Sequence, residues 1–150
     1  MALPVRLLGD QTITLEEARG YLIKVGEQAI ISYDLGLFDA SSVMIRKLLE
    51  ILIIELFEKN KIESHIKNAD VDYFYLEELI SKLLNENGKS WNLSKNSRNS
   101  LPRIKRIGDL SAHSRMFVAK KTDINKISQD LRIVIEELIH LTDYNNWNNK

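Results

Sequence analysis

The chain has 150 residues, of which 44% are hydrophobic and 28% charged, with 21 basic and 21 acidic side chains and no cysteine. These proportions are typical of a globular domain and exclude intrinsic disorder. The lack of cysteine excludes disulfides, thiolate metal sites and thiol nucleophiles, and it agrees with the cytoplasmic location that we expect. Six glycines and two prolines are too few for a sandwich of many short strands, so the composition favours helices.

The sequence predicts a single domain over residues 1–150, with a core from about residue 14 to 144 and a polar tail at 145–150. Thr14 is followed three residues later by Glu17, which is the spacing of a capping box. Apolar residues then recur at helical intervals, so a first helix should run to about residue 33. No apolar run is long enough to cross a bilayer and the N-terminus lacks a signal-peptide pattern, so we expect no membrane partner.

A second helix is predicted from a cap at Asp39 or Ser41 to Lys59, and its apolar residues cover most of its circumference. Arg46 and Glu50 lie about 40° apart on this helix, within an apolar arc. Such a charged pair is either a structural ion pair or support for a functional site, and the ion pair is the preferred interpretation. We expect the pair to face the fourth helix.

The third helix is predicted over about residues 73–87, with Gly88 as its C-cap. The polar and basic stretch 89–100 reads as a loop. Pro102 suits the first turn of a fourth helix, because proline at that position loses no helical hydrogen bond.

A fifth helix is predicted after a cap at Thr122 or Asp123, and five helices with short joints indicate an all-α, up-and-down helical bundle. This last helix contains Glu137 and His140 at the Glu-x-x-His spacing of di-iron bundles. A second copy of that spacing is missing from the sequence. We therefore predict neither a metal site nor a cofactor.

The formal net charge is zero, but residues 89–121 carry a net charge of +8. Local density of this kind is typical of phosphate binding, while the alternative is a solvated face beside acidic segments. Asp109 is the one acidic residue among these basic side chains: Lys89, Lys95, Arg98, Arg103, Lys105, Arg106, Arg115, Lys120 and Lys121.

Arg106, Asp109 and His113 share one face of the predicted fourth helix, because Arg106 and His113 differ by only about 20° around its axis. Histidine can move a proton near neutral pH, and arginine can hold a phosphate through a bidentate fork. A metal-free cleavage of RNA needs these two groups, one to deprotonate the ribose 2′-hydroxyl and one to stabilise the phosphorane. The alternative is that they are ordinary polar residues on the outer face of an amphipathic helix.

The stretch from Arg106 to Arg115, Arg-Ile-Gly-Asp-Leu-Ser-Ala-His-Ser-Arg, resembles the Arg-x6-His motif of the HEPN superfamily. It is most similar to a bacterial domain-of-unknown-function branch that is associated with restriction and defence systems. Residues 42–50, Ser-Val-Met-Ile-Arg-Lys-Leu-Leu-Glu, resemble the same branch. The likeness extends from about residue 39 to 144.

The resemblance implies a HEPN-like bundle of four or five helices, a homodimer in which two motifs meet in one cleft, and metal-independent ribonuclease activity in catalytic members. Arg106 and His113 match the motif arginine and histidine, while Arg46 and Glu50 match branch positions that would support the site. Ile107 departs from the pattern, since catalytic members usually have a polar residue there.

The leading hypothesis is therefore a metal-independent endoribonuclease of a defence or toxin system, with His113 as base, Arg106 on the phosphate and Asp109 beside them. The alternative is a non-catalytic, dimerising domain that binds nucleic acid or a nucleotide and regulates a defence or restriction system. The expected partners are RNA or a nucleotide phosphate, a second copy of the chain, and a protein of that system. The candidate RNA-binding residues are basic: Arg103, Lys105, Arg115, Lys120 and Lys121.

Overall fold

The computed structural model describes residues Val5–Arg6, Thr12–Ile13 and 20–147, and these form an all-α helical bundle, as predicted. The two short strands, β1 (Val5–Arg6) and β2 (Thr12–Ile13), pair antiparallel. There are also two short 3₁₀ helices. Glu63–Ile66 lies between the second and third α-helices, and Tyr144–Asn146 follows the fifth. The five α-helices are α1 (Gly20–Asp34), α2 (Phe38–Lys59), α3 (Leu76–Asn85), α4 (Lys95–His113) and α5 (Lys121–Thr142). The predicted cap at Thr14 and Glu17 lies outside the described residues.

Helix α2 is the centre of the bundle, because it contacts each of the other four α-helices. Its inward residues are almost fully shielded from solvent, which is why apolar positions cover most of its circumference. The residues at the middle of the core are Leu48, Leu49, Leu52, Ile53, Leu56 and Phe57.

The start of α2 differs from the prediction, since neither Asp39 nor Ser41 caps it. Leu37 occupies the N-cap and makes no side-chain capping bond. Asp39 instead accepts a hydrogen bond from the backbone N–H of Ala119 at 2.9 Å. Ser41 donates to the carbonyl of Ala29 at 2.8 Å. Both side chains are thus used to tie α2 to neighbouring segments.

Helix α4 starts earlier than predicted, at Lys95, so the second half of the predicted loop 89–100 is helical. Ser94 is the N-cap, and its hydroxyl accepts a hydrogen bond from the backbone N–H of Ser97 at 3.1 Å. Pro102 consequently lies inside the helix rather than in its first turn. Lys95 and Arg98 of this stretch therefore belong to helix α4.

Glu137 of α5 completes the N-terminus of α4. Its carboxylate accepts hydrogen bonds from the backbone N–H of Ser94 at 2.8 Å and from the Ser94 hydroxyl at 2.7 Å, and it also accepts from the hydroxyl of Ser97. Burial acts to raise the pKa of Glu137, but these hydrogen bonds outweigh it and lower the pKa. Nowhere in the described part of the chain do three or more potential metal ligands converge.

The other helix ends are shifted by a few residues. Helix α3 ends before Glu86, which is its C-cap, and Gly88 adopts a positive φ of 87° two residues farther on. Helix α5 has Lys120 at its N-cap, and Asp123 accepts a hydrogen bond from the N–H of Lys120 at 2.8 Å. Asp123 thus stabilises the first turn from inside the helix, and Thr122 is not the cap.

The predicted polar tail is wrong at its beginning, because the chain remains packed after α5. Tyr144 is fully buried and only 6% of Trp147 is exposed, with their rings 5.8 Å apart. Two aromatic residues in an otherwise polar segment are enough to anchor it on the core. Residues 148–150 lie outside the described residues. None of the helices described has the length and apolarity needed to span a bilayer.

Candidate functional site

Helix α4 approaches α2 closely at Gly108. A Cβ at this position would lie 3.0 Å from the Cβ of Arg46 and 3.4 Å from the carbonyl oxygen of Ser42. Any larger residue would push the two helices apart or displace the arginine. The glycine therefore lets the backbone of α4 rest against Arg46 and places the following turn of α4 beside it.

Arg46 lies between two carboxylates. Its Nε is 3.2 Å from Asp109 on α4 and 3.7 Å from Glu50 on its own helix. Lys105 pairs with the other oxygen of Asp109. The predicted Arg46–Glu50 ion pair is present and faces α4, but the arginine lies closer to Asp109. Between 20% and 27% of each side chain is exposed, so the network is half-buried.

Burial is the largest influence on the carboxyl of Glu50. Burial raises the pKa of the Glu50 carboxyl, Arg46 lowers it, and the nearby charge of Asp109 raises it again. The net shift is upward, which means that the folded protein disfavours the ionised form of Glu50. Asp109, with a cation at each oxygen, is the main partner of the arginine.

A groove of about 550 Å³ opens beside this network, between the start of α3, α2 and the last turns of α4. Apart from His113, the groove is lined by three carboxylates and two cations. An anion is therefore not favoured inside it. The lining residues are Arg46, Lys105, Asp109 and His113 on one side and Tyr75, Glu77 and Glu78 on the other.

The structure brings two of the three predicted catalytic residues together. Asp109 and His113 both line the groove, whereas Arg106 is exposed on α4 and does not line it. Both oxygens of Asp109 face cations. That carboxylate therefore holds Arg46 and Lys105 in place.

The predicted RNA-binding residues fall into two groups. Arg103 pairs with Asp130 of α5 at 2.9 Å and Lys105 pairs with Asp109, so the charges of these two cations are neutralised locally. The remaining three are exposed where α4 leads into α5: Arg115, Lys120 and Lys121.

Two cations of the +8 segment that were not among the candidate RNA-binding residues complete the basic face of α4. Lys95 and Arg98 are exposed and lie with Arg106 within an arc of about 80° around the helix. They were missed because the stretch was read as a loop. The signal was present in Ser94 and Ser97, whose spacing suits a helix start. We call Lys95, Arg98 and Arg106 the α4 basic face.

Known proteins offer no guide to this site. No protein-family model matches the chain, and neither a curated protein nor a solved structure matches it. The HEPN resemblance of the α2 and α4 segments stays a prediction. Function must be inferred from the geometry of the bundle itself.

Proposed function

We propose that the chain binds single-stranded RNA through the α4 basic face. The observation that carries the proposal is that Lys95, Arg98 and Arg106 are exposed and that none of the three pairs with a carboxylate of the described residues. From Lys95 to Arg106 the helix rises about 16 Å, which is long enough to contact several phosphates. Unpaired cations on one rigid face attract a polyanion and release its counterions.

The neighbouring cations support this interpretation by contrast. Arg103 and Lys105, on the two flanks of the α4 basic face, are each neutralised by an aspartate. The charge on α4 is therefore concentrated along its outermost line, as a backbone-binding surface requires.

Charge-removal variants test the binding proposal. Lys95→Gln, Arg98→Gln and Arg106→Gln should each weaken the binding of a labelled uridine oligomer several-fold, and each should reduce the dependence of log K on log[salt] by about 0.7. Fluorescence anisotropy at several salt concentrations measures both quantities. Lys24→Gln, which removes an exposed cation of α1, is the matched control. Failure of the wild-type protein to bind, or equal losses in all four variants, would contradict the proposal.

A second candidate function is metal-independent cleavage of the bound RNA, and the position of His113 favours it. His113 is exposed, ends α4 and lines the groove beside the α4 basic face. In the proposed step, His113 takes the proton of a ribose 2′-hydroxyl, whose oxygen attacks the adjacent phosphorus. The 5′-oxygen leaves with a proton from water, which gives a 2′,3′-cyclic phosphate and a 5′-hydroxyl end.

Arg106 is the proposed phosphate ligand of this step, yet it does not line the groove of His113. We therefore propose that the cleaving form is a homodimer in which a second α4 presents its arginine to that groove. Asp109 would act through Arg46 and Lys105, as a positioning residue. Light scattering at tens of micromolar checks the dimer, and a monomer that cleaves would contradict it.

His113→Ala tests cleavage separately from binding. It should reduce the rate about 10²–10⁴-fold and leave RNA affinity unchanged, because a neutral imidazole adds little attraction for phosphate. His65→Ala, which removes another exposed histidine, is the control. The proposed step needs no metal ion, so EDTA should not slow it. RNA that is bound but never cut would overturn the cleavage proposal and leave the binding proposal intact.

A further inference from the structure

The groove beside α4 differs in charge from the α4 basic face. Its two cations, Arg46 and Lys105, already face the carboxylate of Asp109. Glu77 and Glu78 add two more negative charges on the opposite wall. Within one copy of the chain a phosphate gains little attraction there, whereas a neutral group rich in hydrogen-bond donors would be attracted. RNA offers one such group, namely a base turned away from its backbone.

Tyr75 gives this groove an aromatic wall. The residue is 74% exposed and lies directly before α3, whereas Tyr33 and Tyr144 of the bundle core are buried. Glu78 accepts a hydrogen bond from the backbone N–H of Tyr75 at 3.2 Å, which fixes the backbone that carries the ring. An exposed aromatic ring on a fixed support is what stacking on a single-stranded base requires.

Glu77 is the carboxylate best placed to read such a base. It is exposed, it lines the groove with Tyr75, and it makes no ion pair with another described residue. Guanine presents two adjacent donors, N1–H and the N2 amino group, which match the two oxygens of one carboxylate. Adenine, cytosine and uracil each present a single donor beside an acceptor on that edge.

We propose that the groove binds a guanine base, with the ring stacked on Tyr75 and its Watson–Crick edge on Glu77. The volume of about 550 Å³ is sufficient for a base, since small-molecule sites in proteins are roughly 300–1,000 Å³. The inference rests on the proposed RNA binding, in which the α4 basic face holds the phosphates on either side. It adds a preference for one base to that binding.

Uridine octamers that contain one central guanosine, inosine, adenosine or cytidine test the proposal. The guanosine oligomer should bind about tenfold more tightly than the all-uridine oligomer, and those with adenosine or cytidine should not. Inosine keeps N1–H but lacks the amino group, so its oligomer should be intermediate. Glu77→Gln should abolish the ratio of guanosine to uridine affinity, whereas Asp70→Asn, at an exposed aspartate outside the groove, should preserve it.

The ratio is the decisive quantity, because removing any negative charge strengthens binding of every oligomer alike. Tyr75→Ala should lower the ratio and Tyr75→Phe should retain it. If the all-uridine oligomer binds but guanosine adds nothing, or if inosine equals guanosine, the base site is wrong while RNA binding stands. If no oligomer binds, the proposed function itself is wrong.

Discussion

Charged side chains on the two faces of α2 have different kinds of partner. Glu55 points to one face, is only 2% exposed, and accepts hydrogen bonds from the hydroxyl of Tyr144 at 2.7 Å and from that of Tyr21. Arg46 lies about 180° around the helix from it and meets Asp109 and Glu50 in a half-buried ionic network. The described partners of the first carboxylate are tyrosine hydroxyls, whereas the second side chain lies between opposite charges.

The difference distinguishes a contact that stabilises the fold from one that borders the candidate site. Two tyrosine hydroxyls attached to α1 and to the segment after α5 fix Glu55, so this carboxylate joins distant parts of the fold. In the network of Arg46, two cations share one aspartate and part of every side chain meets solvent. Those charges can respond to a ligand in the groove, whereas the charge of Glu55 is confined to the core.

The largest expected effect is on the core side of this comparison. Glu55→Ala should lower the free energy of unfolding by about 3 kcal/mol, because it leaves the buried hydroxyl of Tyr144 and the hydroxyl of the partly exposed Tyr21 without their acceptor. Glu55→Gln, which keeps an acceptor oxygen of the same size, should lose less. Urea denaturation measures both variants. If Glu55→Ala and Glu55→Gln were equally stable, the hydrogen bonds to an acceptor oxygen at this position would contribute nothing to stability.

On the groove side, Asp109→Ala should cost about 2 kcal/mol, because two partly buried cations lose their shared partner. The same change frees the charges of Arg46 and Lys105, so the variant should bind a uridine oligomer more tightly than wild type. Urea denaturation and anisotropy provide the two measurements, and Asp70→Asn, at an exposed aspartate outside the groove, is a control for charge removal. A stable variant with unchanged RNA affinity would contradict the network.

A smaller effect is expected at Glu137. Its carboxylate accepts hydrogen bonds from a backbone N–H and from two serine hydroxyls, and the side chain is only partly buried. Glu137→Gln should cost about 1 kcal/mol at neutral pH, the usual value of a helix cap. Its pKa is lowered in the folded state, so the stabilisation is complete above the ordinary value of 4.5 and is lost as the pH falls through the lower folded value. The difference between wild type and variant should therefore shrink on acidification.

Thermal unfolding from neutral to acidic pH measures this trend. Glu136→Gln removes the neighbouring exposed carboxylate, which pairs with Arg132, and should have a smaller effect. A difference between wild type and Glu137→Gln that persists at the lowest pH would show that the carboxylate does not act as an ionised cap.

The smallest effect is expected at Glu50, where the sign reverses. Its pKa is raised, so ionisation disfavours the folded state at neutral pH and protonation below the raised pKa removes that penalty. Glu50→Gln should therefore change stability by less than about 0.5 kcal/mol at neutral pH, with a slight gain expected. A loss of roughly 3–5 kcal/mol would instead reveal an exclusive buried pair with Arg46.

The sequence was sufficient to predict the bundle, because apolar periodicity over long segments determines which helix face is buried. It also predicted that Arg46 and Glu50 pair and face α4, since both lie in an apolar arc of the central helix. It could not predict that Arg46 would lie closer to Asp109 than to Glu50. That contact depends on how closely α4 packs at Gly108, which is a property of the tertiary structure.

Local patterns failed where the stabilising partner is distant in sequence. The start of α4 was missed because Ser94 is supported by Glu137, 43 residues farther along the chain. Likewise, Trp147 was read as part of a polar tail because the asparagines around it mask a residue that joins the hydrophobic core. Arg106 and His113 were correctly placed on one helix face, but a helical wheel cannot show that only His113 would border a groove.

The bond from Glu137 to the start of α4 has a consequence for the order of folding during synthesis. Because a chain emerges from the ribosome N-terminus first, α4 appears before the residue that completes its first turn. Until α5 has emerged and docked, the segment with Lys95 and Arg98 lacks that support and should fray. A nascent chain that ends before Glu137 should thus show weak protection of the α4 start in pulsed hydrogen exchange. The proposed RNA-binding surface would therefore be complete only once α5 has docked.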